Sequence, residues 1–173
     1  MKVLLSVAIL LTTIVSLGQN YDDLIKEGRA LLNQRKYEDA LSKFQQAEKL
    51  NPKKIEAKYG TAVALSQKSF ATKEGSDCNK AIEALKVVEK LDDKFSNLNY
   101  NFSIVYFELE NYDIAFKYIQ KQIEFGNQSD PDLYYQRGLV FIQLKKEKEA
   151  CKDFKKASKL GSTLATQSLE NCK

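Results

Sequence analysis

Three cysteines and no histidine bound the chemistry open to this chain. Without histidine there is no Ser-His-Asp or Cys-His machinery and no His-ligated metal. The commonest general base is missing as well. Cys78, Cys151 and Cys172 are too far apart for a CxxC redox motif, and three cysteines without further ligands make a poor metal site. No glycine-rich phosphate cradle and no paired carboxylates at a recognisable spacing are present. The expectation is a protein that is not an enzyme and carries no cofactor or metal. What remains is disulfide chemistry and the surface chemistry of its tyrosines, each a broad apolar face with one hydroxyl.

The elements that position these groups come from composition and pattern. At 173 residues the chain is of one-domain length. Apolar residues make up 43% and charged residues 29%, enough apolar content for a packed core and too much for disorder. The net charge of +4 is mild, and Lys and Glu are interspersed. This reads as solvated helix faces, not as a nucleic-acid footprint.

The first residues form a separate object. Met1-Lys2 is a short positive start, and Val3 to Leu17 is an apolar run. Small residues at Ser16 and Gly18 sit where a signal peptidase inspects the chain, and polar Gln19-Asn20 follows. Residues 1–18 are expected to be a cleaved signal peptide, too short for a comfortable membrane span. The mature domain, 19–173, would be exported to a bacterial periplasm or the cell exterior, with no stable membrane span after cleavage.

Within that domain one pattern returns four times: RKYEDALSKFQQAEKLNP (35–52), SDCNKAIEALKVVEKLDD (76–93), ENYDIAFKYIQKQIEFGN (110–127) and KKEKEACKDFKKASKLGS (145–162). Aligned on Ala40, Ala81, Ala115 and Ala150, each has a large apolar residue four positions on: Phe44, Leu85, Ile119 and Phe154. Three further on stand Ala47, Val88, Gln122 and Ala157, which share that helical face. A second helical stretch precedes each copy, marked by a small residue: Gly28, Ala62, Ser103 or Gly138. Each unit is thus a helix hairpin that cannot bury its apolar face alone, and stacked copies can. The caps agree. Asn20 suits a helix start, Asp130-Pro131 a cap with proline in the first turn, and Gly126 and Gly161 suit helix ends.

With Leu24, Gly28, Leu31, Tyr37, Ala40, Phe44, Ala47 and Pro52 in the landmark positions, the first unit resembles the tetratricopeptide repeat. The resemblance runs over about 21–162. Asn99, Gln122, Asn127 and Glu147 depart from it, and unit two carries seven extra residues. It implies an all-α fold, a right-handed superhelical stack of four hairpins (about 21–54, 55–95, 96–129 and 131–162). A capping helix, 163–172, would follow, with Leu164 and Leu169 turned inward.

In that family the first helix of each hairpin lines a concave groove that binds a peptide or protein. Carried over by position, the resemblance implies groove residues Arg29, Tyr59, Tyr100, Asn101, Ile104, Phe107, Tyr135, Leu139 and Ile142. The tyrosine place also borders the inter-repeat interface, so packing between repeats is the alternative for Tyr59, Tyr100 and Tyr135. Asp132 and Gln136 are neighbouring polar candidates. The lysines of a chaperone carboxylate clamp are missing.

Cys151 starts the last hairpin's second helix, and Cys172 ends the capping helix that runs back along it. About ten residues each way, near 15 Å, bring them to the same end of the stack, so a Cys151–Cys172 disulfide is expected. The closing pattern also resembles exported bacterial proteins of this repeat class. Cys78 is left odd, buried in its hairpin or linked to another chain. The extra residues around 67–77, with Phe70 among them, lengthen both helices of unit two or form a loop. The functional expectation is an exported interaction module or scaffold for a protein or peptide partner. The alternative is a structural or oligomerising subunit of an envelope complex, acting through its end faces.

Overall fold

The computed structural model describes residues 20–73 and 75–172; the expected signal peptide lies outside them. Among the described residues there are nine α-helices and no strand. They are α1 (Tyr21–Asn33), α2 (Tyr37–Leu50), α3 (Ile55–Thr72), α4 (Gly75–Leu91), α5 (Leu98–Glu108), α6 (Tyr112–Phe125), α7 (Pro131–Gln143), α8 (Glu147–Lys159) and α9 (Thr163–Ser168). A single 3₁₀ turn, Leu169–Asn171, follows α9. Consecutive helices pair as hairpins, each second helix packs on the next hairpin, and α1, α3, α5 and α7 also touch in succession. The fold class is that expected: stacked hairpins closed by a short last helix.

The landmark residues make the contacts. Ala40, Ala81, Ala115 and Ala150 are fully buried, and so in effect are Phe44, Leu85, Ile119 and Phe154. The ring of Phe44 lies against both Gly28 and Gly60, so one aromatic joins the first hairpin to the second. A Cβ at Gly28 would stand 2.6 Å from that ring, and one at Gly138 would stand 2.5 Å from Phe154. Glycine is present there for close approach.

Each intra-hairpin turn uses a non-glycine residue in the left-handed region: Arg35, Lys73, Glu110 and Lys145, at φ 57–59°. In hairpins one, three and four the next residue's N–H reaches back five residues, as in Lys36 to Leu31 O at 2.9 Å. This six-to-one bond satisfies an orphan helix carbonyl. Asn20, Asp130 and Ser162 cap α1, α7 and α9 through their side chains.

The extra residues of unit two lengthen both of its helices, to 18 and 17 residues. Asp77, buried at the tip, pairs with Lys68 at 3.2 Å, and Lys68 reaches Glu38 at 2.8 Å. The longer hairpin is thereby tied to α2. Cys78 is a buried free thiol, 2% exposed, which places it in its own hairpin and out of reach of another chain.

The last helix departs from expectation. Ala165, not Leu164, is the residue turned into the stack, and Leu164 is 55% exposed. Ala165 is fully buried where α9 packs on α8, and a 100° step carries Leu164 off that face. Leu169 packs against the core, together with Cys172. Cys172 is joined to Cys151 by a disulfide that closes 21 residues of chain.

Candidate functional site

The odd-numbered helices enclose a cleft of about 610 Å³ on one side of the stack. Its floor is apolar: Leu32 from α1, Ala71 and Phe70 from α3, Ile104 from α5, Leu139 from α7, and Leu164 from α9. Its tyrosines are Tyr37, Tyr100 and Tyr135. Its polar groups are mostly uncharged: Asn33, Ser66, Gln67, Asn101 and Gln136, with Arg35 at the α1 side and Asp132 on α7.

Of the nine residues expected in a groove, five meet here: Tyr100, Asn101, Ile104, Tyr135 and Leu139. The other four lie elsewhere. Arg29 is on the outer part of α1, in a shallow hollow with Tyr21, Ile25 and Lys54. Phe107 stands edge-on to Tyr112 of its own hairpin, at 5.4 Å. Ile142 is exposed in a second hollow, beside Cys151 and Cys172. Tyr59 is a packing residue. Its ring meets Phe95 at 5.2 Å, and its hydroxyl accepts from Asn101 Nδ2 at 3.2 Å. Burial pushes the Tyr59 hydroxyl's pKa up, opposed by its hydrogen-bond donors. Tyr59 thus sits between Phe95 and Asn101 and does not line the cleft. Tyr100 and Tyr135 do both: each rests against the core cluster and shows one side to the cleft.

Position along the helix did not find Leu164 and Asn33. Leu164 belongs to the helix expected only to cap the stack. Asn33 is the last residue of α1, beyond the places carried over from the family. The helical phase of Leu164, one step before a small residue, was the available signal.

The electrostatics favour uncharged groups. Burial, with Asp132 and Asp130 adding to it, pushes the Tyr100 hydroxyl well above its ordinary value, so it stays neutral. Burial first, and Asp130 second, raises the Asp132 carboxyl. Asn101 is 6% exposed, and its Nδ2 is spent on Tyr59 and on Asn97 O at 2.9 Å. Such a surface can hold apolar side chains between hydrogen-bonding amides. Among the described residues no cluster of His, Cys, Asp and Glu could hold a metal. No helix among them is long and apolar enough to cross a membrane.

Two family models, both described as tetratricopeptide repeat, match residues 25–87 and 131–160, together more than half of the chain. No curated protein matches. Among solved structures, a tetratricopeptide repeat protein from Parabacteroides merdae aligns over 87% of this chain and 56% of its own, with TM-score 0.72 at 18% identity. A fragment of MamA from Desulfovibrio magneticus aligns over 82% and 75%, with TM-score 0.64 at 20% identity. PilF of Pseudomonas aeruginosa aligns over 82% and 61%, with TM-score 0.67 at 20% identity. At these identities the likeness is one of fold.

Proposed function

Because this chain is a tetratricopeptide-repeat protein, a protein–protein interaction module on a scaffold fold, we propose that it binds a peptide or protein segment in the cleft of its odd-numbered helices. The observation that carries this is the pair Phe70 and Leu164. Both line the cleft, and they are 57% and 55% exposed. Two large apolar side chains facing one cleft across the stack are costly to leave in water and gain from being covered. The setting that fits is export, with residues 1–18 removed and the Cys151–Cys172 bridge retained in an oxidising compartment.

The test is co-purification with tagged wild type and with a Phe70→Asp/Leu164→Asp variant. Both positions are exposed, so the variant keeps its fold, checked by helical circular dichroism. A partner held by wild type and lost by the variant supports the cleft. A partner held equally by both sinks the proposal.

One observation favours a second reading, contact through the end face. Ile142, 42% exposed, lines a hollow of about 840 Å³ between α7, α8 and the bridge. That reading expects self-association by sedimentation that Ile142→Asp abolishes; a monomer at every concentration removes the self-associating form.

A further inference from the structure

The net charge of +4 is mild for the whole chain, but it is not spread over it. Residues 1–143 hold 19 basic and 19 acidic side chains, and residues 144–173 hold eight and four. The entire excess belongs to α8 and the short segments on either side of it.

Half of those basic residues form one row. Lys148, Lys152, Lys155 and Lys159 stand on α8 at intervals of four, three and four. Such intervals keep them within an arc of about 60° and spread them over about 16 Å of helix. All four are exposed, and among the described residues none of them makes an ion pair. The row is away from the cleft, which no residue of α8 lines. Lys148 and Lys152, with Glu147, rim the hollow in which Ile142 is exposed.

The other hairpins supply the reference. Counted from the aligned alanine, the same places carry Glu38 and Lys49 on α2, Glu83 against Lys86 and Lys90 on α4, and Asp113 and Glu124 against Lys117 on α6. Each of those rows mixes the two signs, and the row on α8 has one. Like charges three and four residues apart repel and weaken a helix. The row therefore opposes the stability of α8, and its side chains, turned to solvent, add no packing in return.

The complement of such a row is anionic. Its four places hold no arginine and no aromatic, so it lacks the bidentate donors and stacking faces that suit nucleic acids. A single repeated charge offers a folded partner no alternation of sign to set its register. Lysine is also depleted in protein interfaces, where its strongly hydrated ammonium would lose water. Lipid headgroups attract lysines held near the membrane surface, and they reward an apolar side chain beside the charges. We propose that α8 docks the protein on the surface of an anionic phospholipid bilayer, with the lysine row along the membrane plane and Ile142 at the edge of the contact. The cleft stays open in this arrangement, so the docking neither needs nor supports the cleft's proposed function.

The experiment sediments the full chain with phosphatidylcholine vesicles, plain or with about one-third phosphatidylglycerol, at about 0.1 M salt. The quantity read is the excess of anionic over neutral binding, which is expected to be on the order of a hundredfold. Lys155→Gln/Lys159→Gln should lower that excess about twentyfold, roughly fivefold for each lysine. Lys86→Gln/Lys90→Gln removes the same charge at the matching places of α4 and should lower it less than about threefold. All of these positions are exposed, so both variants keep their helical circular dichroism. No excess on anionic vesicles overturns the proposal. So does an equal loss in the two variants, which would make the effect one of net charge. Duplex DNA bound as tightly as the anionic vesicles, with the same dependence on Lys155 and Lys159, would overturn it in favour of a nucleic acid.

Discussion

The side-chain amide of Gln122, on α6, accepts the backbone N–H of Asn99 at 3.1 Å and so caps a helix in the other arm of its hairpin. The same oxygen takes the N–H of Tyr100 at 3.3 Å, and the Nε2 donates to Ser96 O and Asn97 Oδ1. Asn97, the residue at the cap position of α5, makes no side-chain cap bond of its own. Gln122 occupies the place where its family carries a small residue, and the exchange supplies the missing cap. Gln122→Ala is expected to destabilise the fold by about 1–2 kcal/mol, read from urea unfolding. Hydrogen exchange at Asn99 and Tyr100 should quicken with it. Unchanged exchange there would refute the capping role.

Arg137 and Asp153 form a second cross-helix link. The guanidinium donates through Nε at 2.7 Å and Nη2 at 2.8 Å to the two carboxylate oxygens, and through Nη1 at 2.7 Å to Gln120 on α6. The hydrogen bonds it donates to Asp153 hold the Arg137 pKa above its ordinary value. Asp153→Ala leaves a largely buried cation without its partner and should cost about 3 kcal/mol. Asp153→Ala/Arg137→Met should recover much of that. A double variant no more stable than the single would show that packing, not charge, is what was lost.

Phe44 is pinned by Gly28 and Gly60 on two hairpins. Gly28→Ala should force the ring aside and cost about 1–3 kcal/mol by thermal unfolding. Combining it with Phe44→Leu should be less costly than the sum of the two changes. Strict additivity would contradict the contact.

The left-handed turn residues offer the opposite sign. Glu110 and Lys145 hold φ near 57° without being glycine. Replacing either with glycine removes a local cost of about 1 kcal/mol, against which the greater freedom of the unfolded chain counts. The expected net is a small gain in midpoint for each, and a loss at either turn would contradict the assigned conformation.

Glu108 gives a pH signature. Burial raises its pKa above the ordinary 4.5, and Lys73 only partly opposes this. The folded state therefore binds that proton more tightly than the unfolded chain does. Its ionisation costs stability as pH rises through the raised value, and the cost vanishes below 4.5. Glu108→Gln should stabilise the protein at pH 7 and lose that advantage at pH 4. An equal gain at both would tie the effect to something other than charge.

Sequence alone determined the repeat. The spacing of Ala40, Ala81, Ala115 and Ala150, with a large residue four on, can be met only by hairpins that share one buried face, so the all-α stack was legible before any coordinates. The same periodicity could order the first helices but not say which of their faces meet one solvent volume. That depended on tertiary structure, because α3 is lengthened to 18 residues and its last turn brings Phe70 into the cleft. It depended also on the rotation of α9, where fitting Ala165 against α8 turned Leu164 outward. Tyr59 was set by its neighbour Phe95, a contact between segments that no period relates. Local pattern fixes which residues share a helix face; only packing between hairpins decides which faces look at each other.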